Sequence, residues 1–287
     1  MLQIFSKELK SYFHSSTAYI FLFIFLLLSG IFFSLSNLAQ GNGAFNYTIY
    51  NLIYLSLFLS PILTMKILAS ETNDKTDQLL LTAPLRIWEI VIGKFLAATA
   101  LFLIGVAVTL IYPLILKSYG PIPTAQIFCS YVGFILIGTC FISIGIFISS
   151  LTSNQVTAAI GTFGVLFVVW IADWITSGLP TSAKSGLIFS AILLLALLFF
   201  IYYNTKNVVI SMGSGILGVI MIAVIYFTKK TLYEGFIVKF LGWLSLFNRY
   251  ESFNLGVLSL TPIVYYITFS MIFVYLTIAV IDRRRWN

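Results

Sequence analysis

The chain of 287 residues carries a formal net charge of +7 and is 60% hydrophobic but only 9% charged. A soluble domain has about 25% charged residues, so this composition excludes an ordinary soluble fold. With a mean hydropathy of +1.04, the chain is expected to be a polytopic membrane protein. In such a protein an excess of Lys and Arg sets the topology and contacts anionic membrane lipid, so we expect no nucleic-acid partner.

Residues 1–17 predict a helix that lies flat at the membrane interface. Apolar residues recur there at helical spacing, and Lys7, Glu8 and Lys10 fall between them. The apolar residues of this expected interfacial helix are Leu2, Phe5, Leu9, Tyr12 and Phe13. A long apolar run follows without a small-residue cleavage site, which indicates a first span rather than a signal peptide.

Runs of about 20 apolar residues, long enough to cross the hydrocarbon core, predict the membrane spans. The expected spans are 18–36, 49–69, 95–116, 127–149, 156–176, 187–203, 208–228 and 262–281. The pair within the hairpin 187–228 has a very short connection, so six spans plus a re-entrant hairpin is the alternative to eight. No linker or repeat divides the chain, and we expect one membrane domain over 1–287.

Both counts of spans are even, which places the two termini on the same side of the membrane. Lys7 and Lys10 precede the first span, and Arg283, Arg284 and Arg285 follow the last one. The positive-inside rule makes this side the cytoplasm, so both termini are expected there.

The most polar stretch between spans is the cytoplasmic segment 70–94. Glu71 and Asp74 lie near its start, and the leucines of 79–81 and then Pro84 follow. A solvated loop fits this composition, because runs of charge usually face water. A docking helix fits it too, since the leucines could pack into a partner's groove while the charges fix the orientation.

The outer segment 229–261 is too long and too aromatic for a plain hydrophilic loop, and one or two short helices in the outer leaflet are expected there. Its large apolar residues are candidates for an outer gate, and a lid that only covers the bundle is the alternative. The candidate gate residues are Phe236, Phe240, Trp243 and Phe247.

Residues that could carry out catalysis are scarce. His14 is the only histidine, so we expect neither a multi-histidine metal site nor a Ser/His/Asp triad, and no catalytic residue or bound metal. Gly93 and Lys94 lack the glycine-rich loop of a Walker motif, so the chain itself is not expected to bind ATP in that way. Charge within or beside the spans is expected only at Lys66 and Asp173, which disfavours an ion-coupled carrier.

Four blocks of the sequence resemble the permease subunits of ABC-2 type exporters, especially the group named for the gliding-motility permease. The blocks are 7–13 with 18–20, 71–84 with 88–95, 149–155, and 247–253 with the closing 282–286. They occur in the same order and with compatible spacing over nearly the whole chain. The extra hairpin 187–228 departs from the six spans of a typical member.

The resemblance implies an all-α polytopic membrane protein with the architecture of a type V exporter, in which an N-terminal interfacial helix precedes a bundle of six to eight transmembrane helices. It implies the cell membrane of a prokaryote, pairing with a second permease copy, and a separate cytoplasmic ABC ATPase subunit. ATP and Mg²⁺ would bind to that subunit, and this chain would bind no cofactor.

The resemblance also implies that a main coupling helix around 71–81 and a smaller contact at 151–155 meet the ATPase. The expected coupling residues are Glu71, Thr72, Asn73, Asp74, Lys75, Thr76, Asp77, Gln78, Leu79, Leu80, Leu81, Ser153, Asn154 and Gln155. The expected function is ATP-driven export of an amphipathic, lipid-linked, peptide or drug-like substrate. The alternative is a transmitter that passes the ATPase stroke to envelope or motility machinery, through an accessory envelope protein, without moving cargo.

Overall fold

The computed structural model describes residues 1–76, 86–176, 178–206, 208–228 and 233–286, and within these ranges its regular structure is helical, with no strand. The helices are α1 (Leu2–His14), α2 (Ser16–Phe33), α3 (Phe45–Thr64), α4 (Ala69–Asn73), α5 (Ile87–Thr109), α6 (Ile111–Tyr119), α7 (Thr124–Leu151), α8 (Gln155–Thr176), α9 (Ala183–Thr205), α10 (Val208–Thr228), α11 (Phe236–Leu244), α12 (Glu251–Asn254) and α13 (Leu260–Trp286). A π-helical turn, Ser34–Leu38, continues α2, and a 3₁₀ turn, Asn248–Tyr250, precedes α12.

In the described part of the chain, six helical segments are long and apolar enough to cross a membrane. They are Ser16–Leu38, Phe45–Asn73, Ile87–Tyr119, Thr124–Leu151, Gln155–Thr176 and Leu260–Arg285. The expected all-α polytopic architecture is thereby confirmed. Helices α9 and α10 cover the expected hairpin and contain two shorter apolar stretches, Ala183–Leu195 and Gly213–Ile222.

The chain forms two compact units, residues 1–168 with 249–287 and residues 169–248. In the first unit α7 is the central helix, and α3 and α13 pack along it. Gly145 permits the close approach of α3, because a Cβ atom there would collide with Thr64, and Gly138 permits that of α5, because a Cβ atom there would collide with the Phe102 ring. The Phe102 ring also packs edge-on against Phe134, with centroids 5.3 Å apart.

The third span is divided at Leu110, between α5 and α6. Pro113 causes this break, because a proline has no N–H to donate to the carbonyl four residues earlier, which is that of Thr109. The Tyr131 hydroxyl of α7 donates to this freed carbonyl at 2.9 Å. A side chain of a neighbouring helix therefore satisfies the backbone group that the proline leaves open.

The block 247–253 ends in residues that anchor the chain in the first unit. Tyr250 and Phe253 are fully buried against α7, where a Cβ atom on Gly133 would lie 2.8 Å from either ring. The Tyr250 hydroxyl donates to the carbonyl of Ser130 at 3.2 Å. Burial raises the pKa of Tyr250, so this hydroxyl keeps its proton at neutral pH.

In the second unit α9 and α10 pack against each other, and α11 packs on α9. The rings of Phe189 and Phe240 are 5.7 Å apart in an edge-on contact between α9 and α11. The Ser245 hydroxyl donates to the carboxylate of Asp173 at the end of α8. These contacts hold α11 within its own unit.

Candidate functional site

Helix α1 packs against the start of α5. A Cβ atom on Gly93 would lie 2.9 Å from Ile4 Cγ2, so the glycine allows α1 to approach this closely. The Tyr12 hydroxyl donates to the carbonyl of Leu63 at 2.8 Å. Burial is the main cause that raises the pKa of Tyr12, and the hydroxyl is therefore a protonated donor at neutral pH. These contacts fix α1 at both of its ends.

The face of α1 that contacts the protein is not the one that carries most of the expected apolar residues. Ile4, Glu8 and Tyr12, spaced four residues apart, lie on the protein side. Four of the five expected apolar residues stay partly or largely exposed: Leu2, Phe5, Leu9 and Phe13. The sequence thus predicts the helix, while its contact face depends on a charge pair that the pattern does not show.

Ser149 of α7 holds the junction between α3 and α4. Its Oγ accepts hydrogen bonds from the backbone N–H groups of Leu68 at 3.2 Å and Ala69 at 3.1 Å. The same hydroxyl donates to the carbonyl of Met65 at 3.2 Å. Backbone groups at a helix break need partners, and this one side chain supplies three of them. The direction in which α4 leaves α3 is fixed by α7.

Lys94 lies at the centre of the site, with its side chain only 1% exposed. Its ammonium donates to Glu8 Oε1 of α1 at 3.0 Å, to Glu71 Oε1 of α4 at 2.6 Å and to the carbonyl of Ile67 at 3.1 Å. An ammonium has three protons, and all three are used. We call Lys94, Glu8 and Glu71 the Lys94 cluster.

The Lys94 cluster joins three elements that are distant in sequence: α1, α4 and the first turns of α5. A buried ammonium is tolerated when it is paired and fully hydrogen-bonded, and removing a partner leaves an uncompensated charge. The cluster therefore ties the relative positions of these elements together. A displacement of α4 would pull on α1 and α5 through it.

Helix α13 reaches the same end of the first unit. A guanidinium nitrogen of Arg284 donates to Thr72 Oγ1 of α4 at 3.2 Å. Helix α4 therefore contacts α1 and α5 through the Lys94 cluster, α7 through Ser149, and α13 through Arg284. A helix of only five residues is connected by side chains to most of the bundle.

The structure places part of the expected main coupling segment in this site. Residues 71–73 lie in α4, and 74–76 form the turn that follows, with Lys75 at a positive φ of 56°. Residues 73–76 are exposed to solvent. The remaining expected coupling residues, Asp77, Gln78, Leu79, Leu80 and Leu81, lie outside the described residues.

The second expected contact is the turn between α7 and α8, just beyond Ser149 and at the same end of the unit. Asn154 begins α8, because its Oδ1 accepts the backbone N–H groups of Val156 at 2.8 Å and Thr157 at 3.4 Å. Ser153 and Asn154 are exposed, and Gln155 is partly exposed. The turn thus has a fixed geometry and a free surface.

The four candidate gate residues lie on α11 or just after it and differ in exposure. Phe236 and Phe240 lie on α11 and pack on Phe189, with the Phe236 and Phe189 centroids 6.2 Å apart. Trp243 is 64% exposed on the same helix, whereas Phe247 is buried. The residues 229–232 that begin the outer segment lie outside the described part of the chain.

The expectation that only Lys66 and Asp173 bring charge to the spans is wrong. The third span begins at Ile87 and not at residue 95, so Lys94 lies inside its first helix and is buried. The sequence pattern does not show this, because the ammonium is paired with two carboxylates from other elements. Glu8 and Lys94 are thus the site residues that sequence reasoning missed. The one feature of the sequence that pointed to them is that Glu8 lies in the block 7–13 and Lys94 in the block 88–95, both of which resemble the permease family.

The described residues contain no group of three or more His, Cys, Asp or Glu side chains that could hold a metal ion. Polar contacts of short range hold α4 and the exposed turns beside it to the helices that cross the membrane.

A family model described as ABC-2 family transporter protein matches residues 2–281, nearly the whole chain. No curated protein matches the chain. The matched range includes every residue of the Lys94 cluster and both exposed turns. The six segments of the described residues that are able to cross a membrane agree with this assignment. The chain belongs to the ABC-2 transporter family and is a multi-pass membrane permease component of an ABC transporter.

Proposed function

We propose that the chain is the membrane subunit of an ATP-driven exporter and that its ATPase is a separate cytoplasmic subunit. Membership of the family implies association with an ABC ATPase. In this proposal ATP and Mg²⁺ bind to that partner, both termini of this chain lie in the cytoplasm, and the permease works with a second permease copy.

The observation that carries the proposal is the Lys94 cluster beneath an exposed surface. Residues 73–76 and the turn at Ser153 are open to solvent at the end of the unit where α4 is bonded to α1, α5, α7 and α13. An ATPase that pressed on this surface would move several membrane helices together. A surface loop without such bonds would only bend.

Charge supports the cytoplasmic placement of this end. Lys7, Lys10 and Lys66 lie there together with the arginines 283–285 that close α13. By the positive-inside rule such an excess faces the cytoplasm, which is where an ABC ATPase is found.

The proposed cargo is an amphipathic, lipid-linked, peptide or drug-like molecule, because the helices offer a mainly apolar surface. In the alternative, the stroke of the ATPase passes to envelope machinery and no cargo moves. The two differ in one measurable respect: the ATPase rate of a transporter responds to its cargo, and that of a mechanical transmitter has no reason to respond to a small solute.

Purification of the native chain in mild detergent, followed by mass spectrometry of what accompanies it, tests the proposal. We expect an ATPase with a Walker motif at about one copy per permease. Recovery of the permease without an ATPase, under conditions that preserve other membrane complexes, would contradict it. The ATPase rate of the recovered complex, measured with a panel of amphipathic solutes, then separates export from mechanical transmission.

A further inference from the structure

A cleft of 210 Å³ opens beside the Lys94 cluster, between α1, the start of α2 and the junction of α3 with α4. The residues that line it include Lys7, Ser11, Tyr12, Thr17, Lys66 and Ser70. All of them belong to the first unit. The proposed coupling to an ATPase makes no use of this cavity.

Thr17 gives the cleft an unsatisfied hydrogen-bonding group. The residue is 3% exposed, and its hydroxyl has no hydrogen-bond partner among the described residues. Buried polar side chains nearly always have a hydrogen-bond partner, so a partner for this hydroxyl is expected. A ligand in the cleft can supply an acceptor to it.

The beginning of α2 adds donors at the same place. The first backbone N–H groups of a helix have no acceptor within it and attract negative charge. Ser15, in the capping position, donates its hydroxyl to the carbonyl of Tyr12 at 3.0 Å and gives α2 no side-chain cap within the described structure. Thr17 is the second residue of this helix.

The charged groups of the cleft also favour an anion. Lys7 and Lys66 line it, and in the part of the chain that the structure describes neither ammonium forms an ion pair. Two carboxylates share the wall, those of Glu8 and Glu71, and both are bonded to Lys94, so these two carboxylates and the three lysines sum to a net charge of +1. Two unpaired ammoniums, a helix N-terminus and a free hydroxyl donor together match the acceptor oxygens of a phosphate group.

We propose that this cleft binds an anionic phosphate group and that the head group of an acidic phospholipid supplies it. Helix α1 keeps apolar residues such as Leu2 exposed next to the first span, which suits a helix lying at the level of lipid head groups. Free phosphate is also an anion with acceptor oxygens, so the experiment includes both.

The test titrates the delipidated full-length chain in detergent with phosphatidylglycerol and reads bound lipid by native mass spectrometry. We expect one phosphatidylglycerol to be retained in preference to phosphatidylcholine, whose head group carries no net charge. Lys66→Gln should weaken this binding about tenfold, the effect of losing one charge-assisted hydrogen bond, and Thr17→Val should weaken it several-fold. Lys117→Gln, at an exposed lysine of α6, is the matched control and should bind as the native chain does.

Two conservative variants separate loss of the site from misfolding, because Lys66→Arg and Thr17→Ser keep their donors and should retain the lipid. Inorganic phosphate is titrated in parallel. Phosphate that binds with the same variant sensitivity, without competition from phosphatidylglycerol, would support the site with free phosphate as its ligand.

Equal retention of phosphatidylglycerol and phosphatidylcholine by all variants, with no binding of phosphate, would overturn the proposal. The readout is binding to the permease alone. Its failure would therefore leave the proposed ATPase partnership untouched, and the absence of an ATPase partner would leave the phosphate site untouched.

Discussion

Lys94 carries its charge where a lone ammonium would be costly to bury. It is tolerated because three acceptors surround it, and two of them are carboxylates. The favourable interaction is largely offset by the desolvation of the three charged groups. The cluster therefore acts mainly by fixing the position of α4 relative to α1 and α5. Its net contribution to the free energy of unfolding is smaller.

Replacing Lys94 by Met should destabilise the protein by about 3 kcal/mol, because two partly buried carboxylates would be left without their shared cation. SDS-induced unfolding in mixed micelles measures the change. Lys117→Met is the control, since this exposed lysine lies at the other end of the third span and should change stability by less than about 0.5 kcal/mol.

A triple variant distinguishes the charge effect from the loss of side-chain packing. Lys94→Met combined with Glu8→Gln and Glu71→Gln removes all three charges at once and should be more stable than Lys94→Met alone. A triple variant at least as unstable as the single one would show that the charges of the two carboxylates are not the cause.

The residue scale is where sequence reasoning was weakest. Glu71 could be singled out because it begins a polar segment between spans. Lys94 could not be recognised as the partner of Glu71, because the two residues are 23 positions apart in the chain. Nor could Glu8 be recognised as the second partner of Lys94, because these two are 86 positions apart. Helical periodicity describes neighbours along one helix and carries no information about pairs between helices.

At the scale of elements, the break between α3 and α4 depends on a single hydroxyl. Ser149 satisfies two N–H groups and one carbonyl at that break, and all of these groups are in a buried part of the bundle. If α3 continued as one straight helix, Glu71 would stay in line with the axis of α3. Ser149 thus helps to place α4, and with it Glu71, beside Lys94.

Ser149→Ala should cost about 1–3 kcal/mol, because it leaves buried backbone groups without partners. It should also expose the turn at 74–76 to faster cleavage by trypsin after Lys75, since α4 would lose its attachment to α7. Ser143→Ala is the matched control: Ser143 is equally buried on α7, but its hydroxyl donates to the carbonyl of Cys140 in its own helix. Equal trypsin cleavage in the two variants would argue against a role for Ser149 in orienting α4.

The composition predicts well which segments form spanning helices, but it predicts poorly where these helices begin and end. The apolar runs predicted all six spanning segments of the described residues, since each must be apolar over about 20 residues. They also predicted two spans within 187–228, where the described residues contain only shorter apolar stretches. The third span was expected to begin at residue 95, eight residues after its observed start at Ile87, because Glu89 and Lys94 resemble the polar boundary of a span. Both have partners: Glu89 closes the first turn through its bond to the backbone N–H of Arg86, and Lys94 is paired.

At the scale of the whole molecule, the two exposed turns, the Lys94 cluster and the cleft beside it share one end of the first unit. The fold class and the family follow from the sequence because composition and the order of blocks extend over the whole chain. The role of α9 and α10 does not follow, since their apolar composition suits any membrane environment equally well.

The central claim is that an ATPase subunit docks on the end of the bundle where α4 lies. A photo-reactive benzoylphenylalanine at Thr76 or at Ser153, both exposed, tests it most directly by cross-linking in native membranes. The control carries the same group at Tyr119, which is 79% exposed at the opposite end of the third span. The account predicts a cross-linked Walker-motif ATPase from both turn positions and none from Tyr119. The same ATPase adduct from Tyr119, or its absence from both turns in membranes where the complex is intact, would contradict it.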